Sequence, residues 1–332
     1  MSDKNKKSTI YSGVTTYLKG GMAVLEDIIV IAPQCLFVLF AYAGKTGSEE
    51  MKLAAEYKKI RLKKIYPGAE VRIIDTFKYP SHFKAEWTKL YLELTESETA
   101  DKYILYEIHY FGHGGPEALY LEEEGGIDGA NSKIYFSDSE NMERLPWHPD
   151  KGIFVLHACR TAAFEDTLDE EMIKAQTCIA NTISTNQKTR CLGQTVGANY
   201  NIDISVLNKY GPEDTGFVLI AKLEQTTTAR QDAEKFKYRA PRPINYFLNE
   251  KFGVDRVLWG YALLTGLVYE NAENNQIAYK RLFNKSYPMY EEIKILGPKS
   301  QIMPCRVFND GVLEENRIVK AGYFNNNDLE YI

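Results

Sequence analysis

A continuous apolar run, "CLFVLFAYA" at 35–43, constrains this chain more than any other stretch. It does not alternate between apolar and polar residues, and it carries Val38 with the rings of Phe37, Phe40 and Tyr42. Such a run fits a strand buried on both faces of a sheet. "GKTGS" stops it, and Ser48 with Glu49 and Glu50 opens a helix predicted to run to about Ile65. "PG" at 67–68 breaks that helix, "AEVRIID" gives a second strand, helical spacing resumes over 83–96, and "KYILYEIHY" makes a third strand bounded by Gly112. Strand, helix, strand, helix, strand at this spacing predicts an α/β fold, a mostly parallel sheet with helices on its faces.

"ALYLEEE" and "SKIYFSD", with "GGIDGAN" between them, read as a β-hairpin inserted in a connection. "GIFVLHA" (152–158) is another buried strand, followed by a helix over about 165–184. "RCLGQTVGA" (190–198) and "TGFVLIAKLE" (215–224) are further strands. Beyond about 236, "APRPINYFLNE" and "DRVLWGYALLTGLVYENA" read as helices; "YEEIKILG", "SQIMPCRVF" and "NRIVKAGYF" read as β-structure. This divides the chain into a flexible or extended segment at 1–30, a main domain at 31–235 and a helical and β extension at 236–332. Whether the extension belongs to the same domain is open at this point.

Composition narrows the function classes. The 332 residues, 44% hydrophobic, suffice for a large core, and the net charge of −5 does not suggest a nucleic-acid partner. The basic runs "MSDKNKK" and "EYKKIRLKKIYPG" read as a polar terminus and a solvated helix face. Five cysteines, at 35, 159, 178, 191 and 305, form neither a disulfide framework nor a CxxC metal site, and they fit a reducing compartment. "GMAVLEDIIVIA" is split by Glu26 and Asp27 and is too short to span a bilayer. A cytoplasmic protein without a membrane partner is expected, although delivery to another cell by a secretion system leaves no trace in such a sequence. The 23 tyrosines read as amphipathic fillers of a sheet core and its rim.

Two strand ends carry the candidate chemistry. "HYFGHGG" (109–115) puts His113 between glycines just past an apolar strand, and "FVLHACRTA" (154–162) does the same for Cys159 between alanines and a polar turn. In open α/β sheets, sites lie beyond the carboxyl ends of the strands. A free thiol is only a few per cent thiolate at neutral pH, and a nearby imidazole can take its proton. The pair therefore reads as nucleophile and base, with the backbone N–H groups of Gly114 and Cys159 as oxyanion donors. Cys35, Cys178, Cys191 and Cys305 read as small core residues. His109 reads as structural, His82 and His148 as loop residues, and His157 as either buried or a pocket wall. A zinc set of His109, His113, His157 and Cys159 fails on reach, since four residues of strand cover about 13 Å. "LEEEGG" lacks the spaced ligands of a calcium loop.

These residues resemble a known family. "HYFGHGG" is similar to the strand-end His-Gly motif of caspase-like (clan CD) cysteine peptidases, especially metacaspases. "FVLHACRTA" resembles the Ala-Cys box of caspases and, more closely, of the bacterial CHAT domains. The resemblance covers roughly residues 35–200. It implies a caspase–hemoglobinase-like fold, a hydrolase of the thiol protease type with a Cys159/His113 dyad, a polypeptide substrate and no metal cofactor in the site. Some relatives are activated by calcium or by a regulatory protein partner. Metacaspases carry an acidic residue two positions before the cysteine and caspases a glutamine; this chain has His157. Lys45 lies on the loop where caspases place an arginine that binds a P1 aspartate, so an acidic or uncharged P1 is expected. The strand from Gln194 through Val196 to Asn199 is expected to be the edge that pairs with substrate backbone. Two other readings stand beside this one: a catalytically silent caspase-fold interaction module, and a bacterial effector that cleaves itself at 125–132 or 208–216.

Overall fold

The computed structural model describes residues 11–19, 22–30, 32–45, 47–125, 132–140, 142–166, 170–195, 197, 265–296 and 302–320. The chain begins with β1 (Tyr11–Lys19) and β2 (Met22–Val30), an antiparallel ribbon in register from Tyr11↔Val30 to Lys19↔Met22. The expectation for 1–30 is a flexible or extended segment; 11–19 and 22–30 are extended, but paired with each other. The missed signal is the Gly20-Gly21 pair between two runs rich in β-branched residues, a hairpin cue.

The frame then follows in order: β3 (Gln34–Ala41), α1 (Ser48–Ile65), β4 (Glu70–Ile74), α2 (Pro80–Thr95) and β5 (Tyr103–Phe111). Beyond β5, three short strands form a small antiparallel sheet: β6 (His113–Gly114), β7 (Leu119–Tyr120) and β8 (Lys133–Ile134). β7 and β8 are the expected inserted hairpin. After β9 (Ile153–His157), the single helix expected at 165–184 is instead two, α3 (Glu170–Lys174) and α4 (Ile179–Gln187). Gln176, with φ +56°, lies between them in a left-handed conformation that no helix continues through. β10 (Arg190–Gln194) follows. The strand expected at 215–224, the helix at 240–250 and the boundary at 235/236 fall outside the described residues.

In the C-terminal part, α5 (Thr265–Phe283) and α6 (Tyr290–Leu296) precede β11 (Ile302–Asn309) and β12 (Val312–Lys320). "YEEIKIL" (290–296) is therefore helical rather than β. The main sheet has seven strands in the order β12-β11-β10-β9-β5-β3-β4. The five from β10 to β4 are parallel, β11 adds antiparallel to β10, and β12 adds antiparallel to β11. The extension thus completes the same sheet.

Alternation along the strands assigns residues to faces. Phe40, Tyr110 and Phe154 point to the side of α2, where Phe83 and Trp87 stack against them. Gly193 of β10 faces α4 on that same side, since a Cβ there would meet Ala180 Cβ at 3.0 Å. Phe37, Leu39, Glu107, His109, Phe111 and His157 point the other way, the side that α1 covers.

Candidate active site

β5 and β9 are neighbours in parallel register, and their last paired residues are Phe111 and His157. His113 and Cys159 each stand two residues beyond that rung, so the topology delivers both to one end of one strand pair. Both are half-buried. The two loops also touch: a Cβ placed on Gly114 would lie 3.1 Å from Ala158 Cβ and 3.0 Å from Thr161 Cγ2, on either side of Cys159. A glycine is needed at Gly114 for that approach.

The histidine is held by two tyrosines. The Tyr110 ring crosses Gly112, where any Cβ would fall 2.4 Å from its hydroxyl, and the hydroxyl donates to the His113 carbonyl at 3.2 Å. Burial pushes the Tyr110 hydroxyl up, so it stays a donor. Tyr42, just past β3, meets the His113 ring edge-on with centroids 5.4 Å apart. In the sequence both read only as strand residues.

The cysteine loop is held from the opposite side. Arg160, next to Cys159, sits at φ +56°, a conformation costly for a residue with a Cβ and kept only where surroundings enforce it. Those surroundings are visible. The Ala162 N–H donates to Gln194 O (2.8 Å), the Gln194 N–H donates to Thr161 Oγ1 (3.2 Å), and the Ala180 N–H donates to Thr161 O (3.1 Å). Arg306 of β11, fully buried, donates to Ala162 O (2.8 Å) and forms a two-pronged ion pair with buried Glu165. Its guanidinium lies 4.1 Å from the Phe164 ring centroid. Nothing in the local sequence around 165 signals a partner that arrives at 306.

Of the five expected substrate contacts, His157 and Gln194 are corrected, Val196 and Asn199 fall outside the described residues, and Lys45 is exposed. His157 is 2% exposed and belongs to the core: it stacks on Phe111 (4.2 Å between centroids, 4° between planes) and bonds to His109. It is no pocket wall, because strand alternation turns it inward under α1. Gln194 is fully buried inside the sheet, paired to Cys305 of β11, so β10 is not the free edge expected to take a substrate strand. Val196 and Asn199 lie outside the described residues. Lys45 is exposed on the loop after β3, where its backbone N–H donates to Glu122 Oε1 at 2.5 Å.

Beneath these two strand ends runs a buried polar chain. Glu107 Oε2 lies 2.8 Å from His109 Nε2, and His109 Nδ1 lies 2.9 Å from His157 Nε2. With Glu107 as a carboxylate the protons have one arrangement: His109 donates from Nε2, and His157 donates to His109 Nδ1. Burial holds both imidazoles well below the usual range, and burial pushes the Glu107 carboxyl up against the opposing pull of Lys58. Among the described residues, no group of three or more His, Cys, Asp or Glu side chains is arranged to hold a metal, and no helix is long and apolar enough to cross a membrane. Cys178, Cys191 and Cys305 are buried, and burial pushes their thiols up, Cys178 to about 12.

A solved structure, that of a secreted C11 cysteine protease from Bacteroides thetaiotaomicron in complex with an irreversible peptide inhibitor, resembles this chain with a TM-score of 0.33 and 10% identity. The match covers 84% of this chain and 66% of that one, so the chain spans less than two thirds of its length. No protein-family model and no curated protein matches the chain.

Proposed function

We propose that this chain is a caspase-like cysteine endopeptidase, a hydrolase of peptide bonds, of the CHAT or metacaspase kind that its two motifs resemble. The observation that carries the reading is the convergence of the β5 and β9 ends, with His113 and Cys159 each two residues past the rung Phe111↔His157 and with Gly114 against the residues that flank the cysteine. His113 takes the thiol proton, and the Cys159 sulfur bonds to the scissile carbonyl carbon. The N–H groups of Gly114 and Cys159 receive the oxyanion. The C–N bond then breaks, the proton passes from His113 to the departing amine, and water hydrolyses the thioester with His113 as base. The reaction needs no metal or cofactor. Lys45 supplies the cation for an acidic P1 side chain; efficient cleavage after Arg or Lys contradicts that preference. The protein acts on polypeptides, in the cytoplasm or after delivery to another cell.

The test is intact-mass spectrometry after incubation with an irreversible thiol-directed peptidyl inhibitor, with and without calcium. Wild type, Cys159→Ala and His113→Ala are compared. One adduct is expected, mapping to Cys159, absent in Cys159→Ala and at least about a hundredfold slower in His113→Ala, the lower end of what a general base contributes. The internal control is Cys35, which is half-buried, because the other three thiols are sealed in the core. Labelling of Cys159 no faster than Cys35 in every condition rejects the peptidase reading and favours a silent interaction module.

A further inference from the structure

The Glu107–His109–His157 chain takes no part in the proposed steps, yet its two histidines stand in the two strands that carry the dyad. His109 lies on β5 ahead of His113, and His157 lies on β9 two residues ahead of Cys159. We infer that the hydrogen bond between them is a positioning pair: a pin across β5 and β9 that sets His113 against Cys159. The inference rests on the peptidase reading of that dyad.

Burial makes the bond directional and costly to break. His109 is 0% exposed and His157 2%, and polar groups at that depth are tolerated only when bonded. Apolar residues would fill the same space under α1 without that requirement. Each ring is also constrained in plane. His157 lies flat on Phe111, and His109 is nearly parallel to both, at 22° to Phe111 and 19° to His157. Glu107 then holds His109 in the tautomer that accepts from His157. The location matters as much as the bond. Phe111↔His157 is the last rung before the strands part, with β6 turning into the small sheet and Cys159 entering the strained turn at Arg160. A lateral slip of β5 against β9 at that rung is transmitted directly to both reacting atoms. Besides the three members, the charged group that acts on the chain from the packed helix is Lys58 of α1.

The experiment measures alkylation of Cys159 by iodoacetamide across roughly pH 5 to 9, bracketing the ordinary thiol value near 8.5. Mass spectrometry reads the adduct. In wild type the acid limb of the rate profile is expected well below that value. His157→Phe keeps the ring stack and removes the donor; the limb shifts up by at least about one pH unit, so the rate at mildly acidic pH falls about tenfold. His157→Gln, whose amide can donate in the same place, recovers most of the rate. A triple replacement, Glu107→Leu with His109→Leu and His157→Phe, orphans no member of the chain and is expected to melt no lower than wild type. It nevertheless shows the same loss of Cys159 reactivity. An unchanged rate profile in the folded triple variant, or in His157→Phe, overturns the positioning role while leaving the peptidase reading intact. A wild type in which Cys159 alkylates as an ordinary thiol rejects the reading itself, and the positioning role with it.

Discussion

On the α2 face of the central strands, Phe40, Phe83, Phe136 and Phe154 surround Trp87 with ring centroids between 5.3 and 6.1 Å from it. On the α1 face, alternate residues of two of those strands are Glu107, His109 and His157, with Lys58 over them. One face is a dry aromatic pack whose contribution is cohesion. The other gives up apolar area for directional bonds, and it is the face that runs into the candidate dyad. Strand alternation lets a single sheet do both, because the two residue sets never compete for the same side.

The largest effect is expected on the dry face. Trp87→Ala removes a fully buried indole and should cost about 3–5 kcal/mol of stability, with no pH dependence, read as a lowered urea midpoint. A loss under about 1 kcal/mol would mean that this face is less tightly packed than its ring geometry indicates. A slightly smaller loss should follow Arg306→Met, which leaves Glu165 buried without its partner: about 3 kcal/mol. Adding Glu165→Leu to that variant should recover part of the stability, since no buried charge is left unpaired although the Ala162 carbonyl still lacks its donor; failure to recover any would show that the two residues do not act as a pair.

The polar face is separated from the dry one by pH. His109 and His157 have folded pKa values held low by burial, whereas unfolded imidazoles titrate near 6.5. The unfolded chain therefore binds more protons as pH falls below about 6.5, and stability drops by up to about 2.7 kcal/mol per pH unit from the two together. Glu107, pushed up in the folded state, works in the opposite direction. It is protonated first in the fold, and it returns part of the loss as pH falls from its folded value toward the ordinary carboxyl range. Urea midpoints measured from pH 7.5 downward should fall in wild type and flatten in the triple Leu/Leu/Phe variant. Parallel curves for the two would remove the distinction between the faces.

How much of this was legible depended on how local each signal is. β3, α1, β4, α2, β5 and β9 follow from continuous apolar runs, Gly and Pro breaks and a helix start. His113 and Cys159 stand out as candidates because strand ends in such sheets are where chemistry collects. "YEEIKIL" misled because seven residues of alternating character fit either period. In the structure Tyr290 and Ile293 are buried and Ile295 is 83% exposed, the pattern of one helical face. The interior place of β10 depends on Cys305 pairing with Gln194, a partner distant in sequence that leaves no mark near 194. The inward turn of His157 was undecidable from alternation alone, because both faces of a buried strand are apolar.

The long reach of Arg306 to Ala162 and Glu165 has a consequence in time as well as in space. A ribosome finishes the Cys159 loop well before it adds β11, so in a nascent chain the loop lacks its clamp and β10 has a bare edge. Order of synthesis thereby places completion of the candidate nucleophile's surroundings among the last events of folding, after the rest of the parallel sheet is already available to assemble.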